Sequence, residues 1–182
     1  MSILAFVLDT VFFFLVAAAL LRAWLNAVRI NMSQQPGPLL LALTDWLVQP
    51  LRKGFPRAWM RTRWDVASLM AACLLALVNA AVWVGLGWGV STHGIGGVFV
   101  LALPVLALKI LLKSGLQTLL YLTLGHAILS WVQPLAPAYG WLSRLLMPLL
   151  SPIRRWVPLV GGVDLSALVL VLLVQIVLML LG

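Results

Sequence analysis

Apolar residues in this chain come in long unbroken runs, and the polar ones gather between them. "LDTVFFFLVAAALLRAW" and "LSALVLVLLVQIVLMLL" show neither the alternation of a half-buried strand nor the wet face of an amphipathic helix. Runs that are apolar all round and about 20 residues long suit the hydrocarbon of a bilayer, where a helix satisfies its own backbone. The pattern predicts spans over about 4–25, 65–88, 114–132 and 164–181. "MSILAFVLDT" has no Lys or Arg ahead of its apolar run, so it reads as a retained first span and not as a cleaved leader.

The segments between the spans differ in kind. "NMSQQPGP" stops a helix, because Pro36 and Pro38 lack donors and Gly37 loosens the backbone. "LLLALTDWLVQPLRK" is too interrupted by Asp45, Gln49 and Pro50 to cross, and reads as an amphipathic helix at the membrane surface. "QPLAPAYGW" is a second break, and "LSRLLMPLLSPIRRWV" a second interfacial segment. Asp65, three residues ahead of Ser68, reads as a helix cap, and the glycines at 85, 87 and 89 close that span. The stretch 98–132 is about 50 Å long as a helix, too long for one crossing of about 30 Å. Pro104, Lys109 and Lys113 suggest an outer or re-entrant segment over 98–112 followed by a span over 114–132. The alternative is one long tilted helix.

Composition agrees with a membrane protein: of 182 residues, 64% are hydrophobic and 9% charged, with a mean hydropathy of +1.13. That is too little polar surface to cover a soluble domain. Twelve Lys and Arg oppose four acids (Asp9, Asp45, Asp65, Asp164), for a net charge of +8. In a soluble protein this would suggest nucleic acid. Here the basic residues flank apolar runs, so anionic head groups are the expected partner and nucleic acid is not. Arg29, Arg52, Lys53, Arg57, Arg61 and Arg63 fall in one connection and Arg144, Arg154 and Arg155 in another, which puts both on the cytoplasmic side and both termini outside. Cys73 stands alone, which excludes an intrachain disulfide and a cysteine metal site.

The chain repeats itself. "PLRKGFP" (Pro50 to Pro56) and "PIRRWVP" (Pro152 to Pro158) share a pattern at an offset of 102, and Asp65 and Asp164 open similar spans at an offset of 99. Trp24 and Trp131 mark the same end of spans one and three. Each unit is therefore span, break, interfacial helix, basic proline-flanked loop and Asp-capped span. The units cover 1–90 and 98–182 in the same orientation, an all-α fold of two parallel-oriented repeats.

The order "LLRAW…QPLRKGFP…DVASL", repeated as "ILSWV…LLSPIRRWVPLVGGVDLSALVLVLL", resembles the YggT family as two tandem units. The second unit is the closer match; "RAWMRTRW" in the first replaces a short glycine-containing turn. The resemblance implies a small bacterial inner-membrane protein related to chloroplast cofactor-assembly proteins, with links to osmotic-shock resistance, ion homeostasis and cell-division gene neighbourhoods. It implies no agreed biochemical activity.

Three constellations carry candidate chemistry. In the basic motifs, Pro50, Pro56, Pro152 and Pro158 hold Arg52, Lys53, Arg154 and Arg155 at head-group depth, with Trp156 beside the second pair. These either anchor the protein on lipid or form a docking loop in which Arg154 or Arg155 pairs with Asp164 or Asp65. Asp9, Lys109 and Lys113 are intramembrane charges that either pair or reach for the outer head groups. His126, with Thr123 and Ser130 at helical spacing, could ligate haem, but an interhelical hydrogen bond is the plainer reading because His93 lies in a glycine-rich loop. Gln117, Gln175 and Asn79 suit the same gluing role.

The chain has no glutamate, no nucleophile beside a base and no phosphate-binding glycine loop, so no enzyme and no cofactor is expected. The reading is a non-catalytic scaffold, assembly or homeostasis factor that self-associates or binds another membrane protein. A small oligomeric channel lined by Asp9, Lys113, Gln117 and His126 is the alternative.

Overall fold

The computed structural model describes residues 3–32, 37–54, 65–86, 96–133, 135–157 and 165–182, with side chains for all of these but 96–101. The described residues form six helices: α1 (Ile3–Val28), α2 (Gly37–Gly54), α3 (Val66–Gly85), α4 (Gly96–Val132), α5 (Pro137–Arg154) and α6 (Leu165–Leu181), and no strand. Three of them, α1, α3 and α4 over Ala102–Val132, are long and apolar enough to cross a membrane. The protein is an all-helical membrane protein. With 17 residues, α6 is apolar throughout but at the short limit for spanning.

The division expected between 98–112 and 114–132 does not occur: α4 is one helix of 37 residues, continuous through Pro104. Proline costs a helix one backbone bond, to the carbonyl four residues back, and here that loss falls close to the helix start. Lys109 and Lys113 are both exposed and stand one turn apart, so neither forces a break.

The chain forms two compact units, Met1–Gly115 and Leu116–Gly182. In the first, α1 packs chiefly on α3. The buried faces are rich in alanine, with Ala18, Ala19 and Ala23 on α1 and Ala71, Ala72, Ala76 and Ala80 on α3. Small residues let helix backbones approach closely where lipid supplies no hydrophobic drive. Ala107 of α4 packs on Ala76 and Ala80. Val48 of α2 packs on Ala67 and Ala71. A side chain on Gly37 would collide with the backbone of Met32, so only glycine fits at the start of α2. In the second unit, Ala127 of α4, Leu146 and Leu150 of α5, and Ala167, Leu170 and Val174 of α6 form one core.

Each of α2 and α5 has 18 residues and lays one stripe inward. The stripes are Leu40, Thr44 and Val48 in α2 and Leu142, Leu146 and Leu150 in α5, the same positions at the offset of 102 that separates Pro50 from Pro152. Pro137 occupies the first turn of α5, where its missing donor costs nothing.

Candidate functional site

The basic motifs were expected as proline-pinned loops, and the structure places their first halves on helix. Pro50, Arg52 and Lys53 lie in the last turns of α2, and Pro152 and Arg154 in those of α5, with Arg155 and Trp156 just beyond. Pro50, Pro148 and Pro152 are all exposed, so the helix bonds they forfeit lie near the surface, where other partners can replace them. Pro56, Pro158, Asp164 and His93 lie outside the described residues.

Under α2 is a buried ion network that joins three helices. Arg22, in the apolar run of α1, is only 3% exposed. Its Nη1 donates to Thr44 Oγ1 at 2.7 Å and to Asp45 Oδ1 at 2.7 Å, both on α2. Its Nε stands 3.9 Å from Asp65 Oδ2, an ion pair longer than a hydrogen bond. Asp65 caps α3, its Oδ1 accepting from the Ser68 N–H at 3.3 Å and its Oδ2 from the Ser68 hydroxyl at 2.8 Å. The same Oδ2 accepts from Asn26 Nδ2 at 3.3 Å and from Arg52 Nη2. Burial raises the pKa of this carboxyl, but the Ser68 hydrogen bonds and the Arg52 guanidinium outweigh it and hold the group below the usual carboxylate range. Among the described residues, the arginines that reach Asp65 are thus Arg52 and Arg22. Two cations and two acids balance among these described residues, with Arg22 and Asp65 buried and Asp45 and Arg52 at the part-exposed edge.

Sequence reasoning took Arg22 only as the end marker of a span and Asp45 only as an interruption of α2. An arginine inside an apolar run, with aspartates on the two helices that follow, was the available signal, since intramembrane charges seek partners. Arg29 extends this end of α1: its φ of 60° closes the helix in a left-handed turn, with Ile30 N–H donating to Leu25 O at 3.0 Å.

Asp9 makes no ion pair among the described residues; it is exposed on α1, as Lys109 and Lys113 are on α4. The two helices meet where Leu20 faces Gly115. That point is about 16 Å along α1 from Asp9 but within about 3 Å, measured along α4, of Lys113, which keeps those two apart.

His126 is fully buried in the second unit. Its Nε2 lies 3.0 Å from Ser143 Oγ, and its ring stacks on Tyr139 with centroids 5.0 Å apart. A haem iron ligated through Nε2 would have to displace Ser143. Thr123, also buried, donates to the Leu119 carbonyl of its own helix, and Ser130 is half-buried. Asn79 is buried in α3, Gln117 is half-buried in α4 and Gln175 is exposed on α6.

The CCB3/YggT family model matches residues 1–86 and again 105–182. The chain is 32% identical to "Uncharacterized protein YggT" of Escherichia coli K12 over 178 residues, 97% of this chain and 88% of that protein. It is 30% identical to the "Uncharacterized protein in proC 3'region" of Vibrio alginolyticus over 171 residues, 93% of this chain and 88% of that one. No solved structure matches it.

Proposed function

The chain belongs to the CCB3/YggT family, and from that premise we propose that it is a non-catalytic, four-span scaffold or assembly factor of the bacterial inner membrane, serving osmotic-stress and ion homeostasis. Helices α1, α3, α4 and α6 cross; α2 and α5 lie at the cytoplasmic face among anionic head groups. Two units of one orientation make up the chain. The two separate family matches and the recurrent buried stripes of α2 and α5 support that division.

The observation that carries the non-catalytic reading is what the acids are doing. Asp45 and Asp65 accept from arginines and hold α1, α2 and α3 together, so they maintain shape and are not free for proton transfer. The helix so held leaves Leu39, Leu43 and Trp46 exposed on another face, with exposed Lys53 and the part-exposed Arg52 at its end. An apolar edge beside a basic one suits anionic lipid and a membrane-protein partner.

A channel is the second reading, because Asp9 and Lys113 are exposed charges on helices long enough to span. It needs Asp9, Lys113, Gln117 and His126 on one axis, and the burial of His126 against Ser143 and Tyr139 weighs against that. Purification in native lipid discs, with mass spectrometry of co-purifying proteins and lipids, separates the two. A stoichiometric membrane-protein partner is expected. A homo-oligomer that conducts ions in planar bilayers sinks the scaffold reading.

A further inference from the structure

We infer that one exposed face of α6 is an interface between two copies of this chain, in which Gln175 of one copy exchanges amide hydrogen bonds with Gln175 of the other. The inference rests on the reading of α6 as a membrane crossing. Two polar side chains interrupt this helix, Ser166 and Gln175. Ser166 is buried. Gln175 is exposed and has no polar partner among the described residues. It stands about 15 Å from the start of α6 and about 9 Å from its end, which places its amide in hydrocarbon. Lipid tails offer such a group nothing to bond to, so a hydrogen bond to another helix is what relieves it.

The residues around Gln175 are arranged for a helix partner. Leu165, Leu168, Leu172, Gln175 and Met179 recur at alternating spacings of 3 and 4, the seam of two helices that cross at about 20°. Leu168, Leu172 and Met179 are 38%, 59% and 87% exposed. The residues that α6 buries in its own unit, Ala167, Leu170, Val171 and Val174, lie off that seam. A second copy is the occupant that the amide itself selects. Copies oriented by the same basic loops cross in the same direction, so a two-fold axis along the membrane normal sets both Gln175 side chains at one depth. A primary amide is donor and acceptor at once, so two of them satisfy each other. Two helices meeting along such a seam enclose no channel, in keeping with a scaffold.

Disulfide cross-linking of the full chain in native membranes tests this, with single cysteines in a Cys73→Ser background and copper phenanthroline as oxidant. Leu172→Cys and Met179→Cys, which flank the amide on the seam, are expected to give a dimer. Leu173→Cys and Val177→Cys, 49% and 40% exposed but off the seam, should stay monomeric. Adding Gln175→Leu to Leu172→Cys should slow cross-linking about three- to tenfold. Gln175→Asn, which keeps an amide, should slow it less. Equal cross-linking on and off the seam, adducts to other membrane proteins alone, or no dimer at all overturns the inference, and so does an unchanged rate with Gln175→Leu. Gly182→Cys separates this from the crossing itself: labelling by a membrane-impermeant maleimide from the cytoplasmic side would mean that it is the four-span reading that fails.

Discussion

Arg22 shows how much one side chain can organise in a helix that otherwise carries its polar groups near its ends. Removing it strands Asp45 and weakens the setting of Asp65. Breaking a fully buried pair costs about 3–5 kcal/mol. Asp45 is 36% exposed and Asp65 keeps Arg52, so Arg22→Ala should cost less, about 2–3 kcal/mol, measured as a lower unfolding midpoint in detergent. An unchanged midpoint would show the network to be ornamental. Asp65 adds a pH dependence. Its folded pKa is depressed, so its contribution is complete above the ordinary value of 3.8 and fades as pH falls through the lower folded value. Acid titration of stability should therefore show a loss beginning below about pH 4 that Asp65→Asn flattens. At Arg29, φ is 60°, a conformation that costs a side-chain-bearing residue about 1 kcal/mol relative to glycine. Arg29→Gly is expected to raise the midpoint by that order, and a fall would mean that the arginine side chain holds the turn.

Among the elements, the pair α1 and α3 is defined by how little separates its backbones. Ala72 and Ala19 are wholly buried. Ala72→Leu must wedge three more carbons into that face and should destabilise by about 1–3 kcal/mol, whereas the same change at exposed Ala42 should be silent; equal effects would refute the close packing. The elements were unevenly legible. The stops after α1 and α4 and the presence of helices α2 and α5 follow from composition and spacing, although the second stop is shorter than "QPLAPAYGW", since α5 already begins at Pro137. The continuity of α4 did not, because proline and two lysines are local signals, and the neighbours that stabilise a long helix, such as Ala76 and Ala80 against Ala107, are distant in sequence.

For the whole molecule, the basic residues make topology testable. Single cysteines in a Cys73→Ser background at 53 and 155 should react with a membrane-impermeant maleimide only from the cytoplasmic side, and one at 93 only from outside. Labelling of 53 and 155 from opposite sides would exclude two units of one orientation. Asp65 shows where the limit of sequence reading lies. Its role as a cap could be read from Ser68 three residues on, because capping is local. That it also gathers Arg22, Asn26 and Arg52 could not, because those groups meet only when three helices pack.

By itself the sequence determined that this is a helical membrane protein of the CCB3/YggT family. Apolar run length, proline and glycine breaks and recurrent motifs all act within a few turns of chain, so they survive in one dimension. Only the tertiary structure decided that α4 is unbroken, that Asp9 makes no ion pair among the described residues, and that Arg22 and His126 bond to α2 and α5. Those outcomes depend on which faces meet and at what height, and long-range packing sets both.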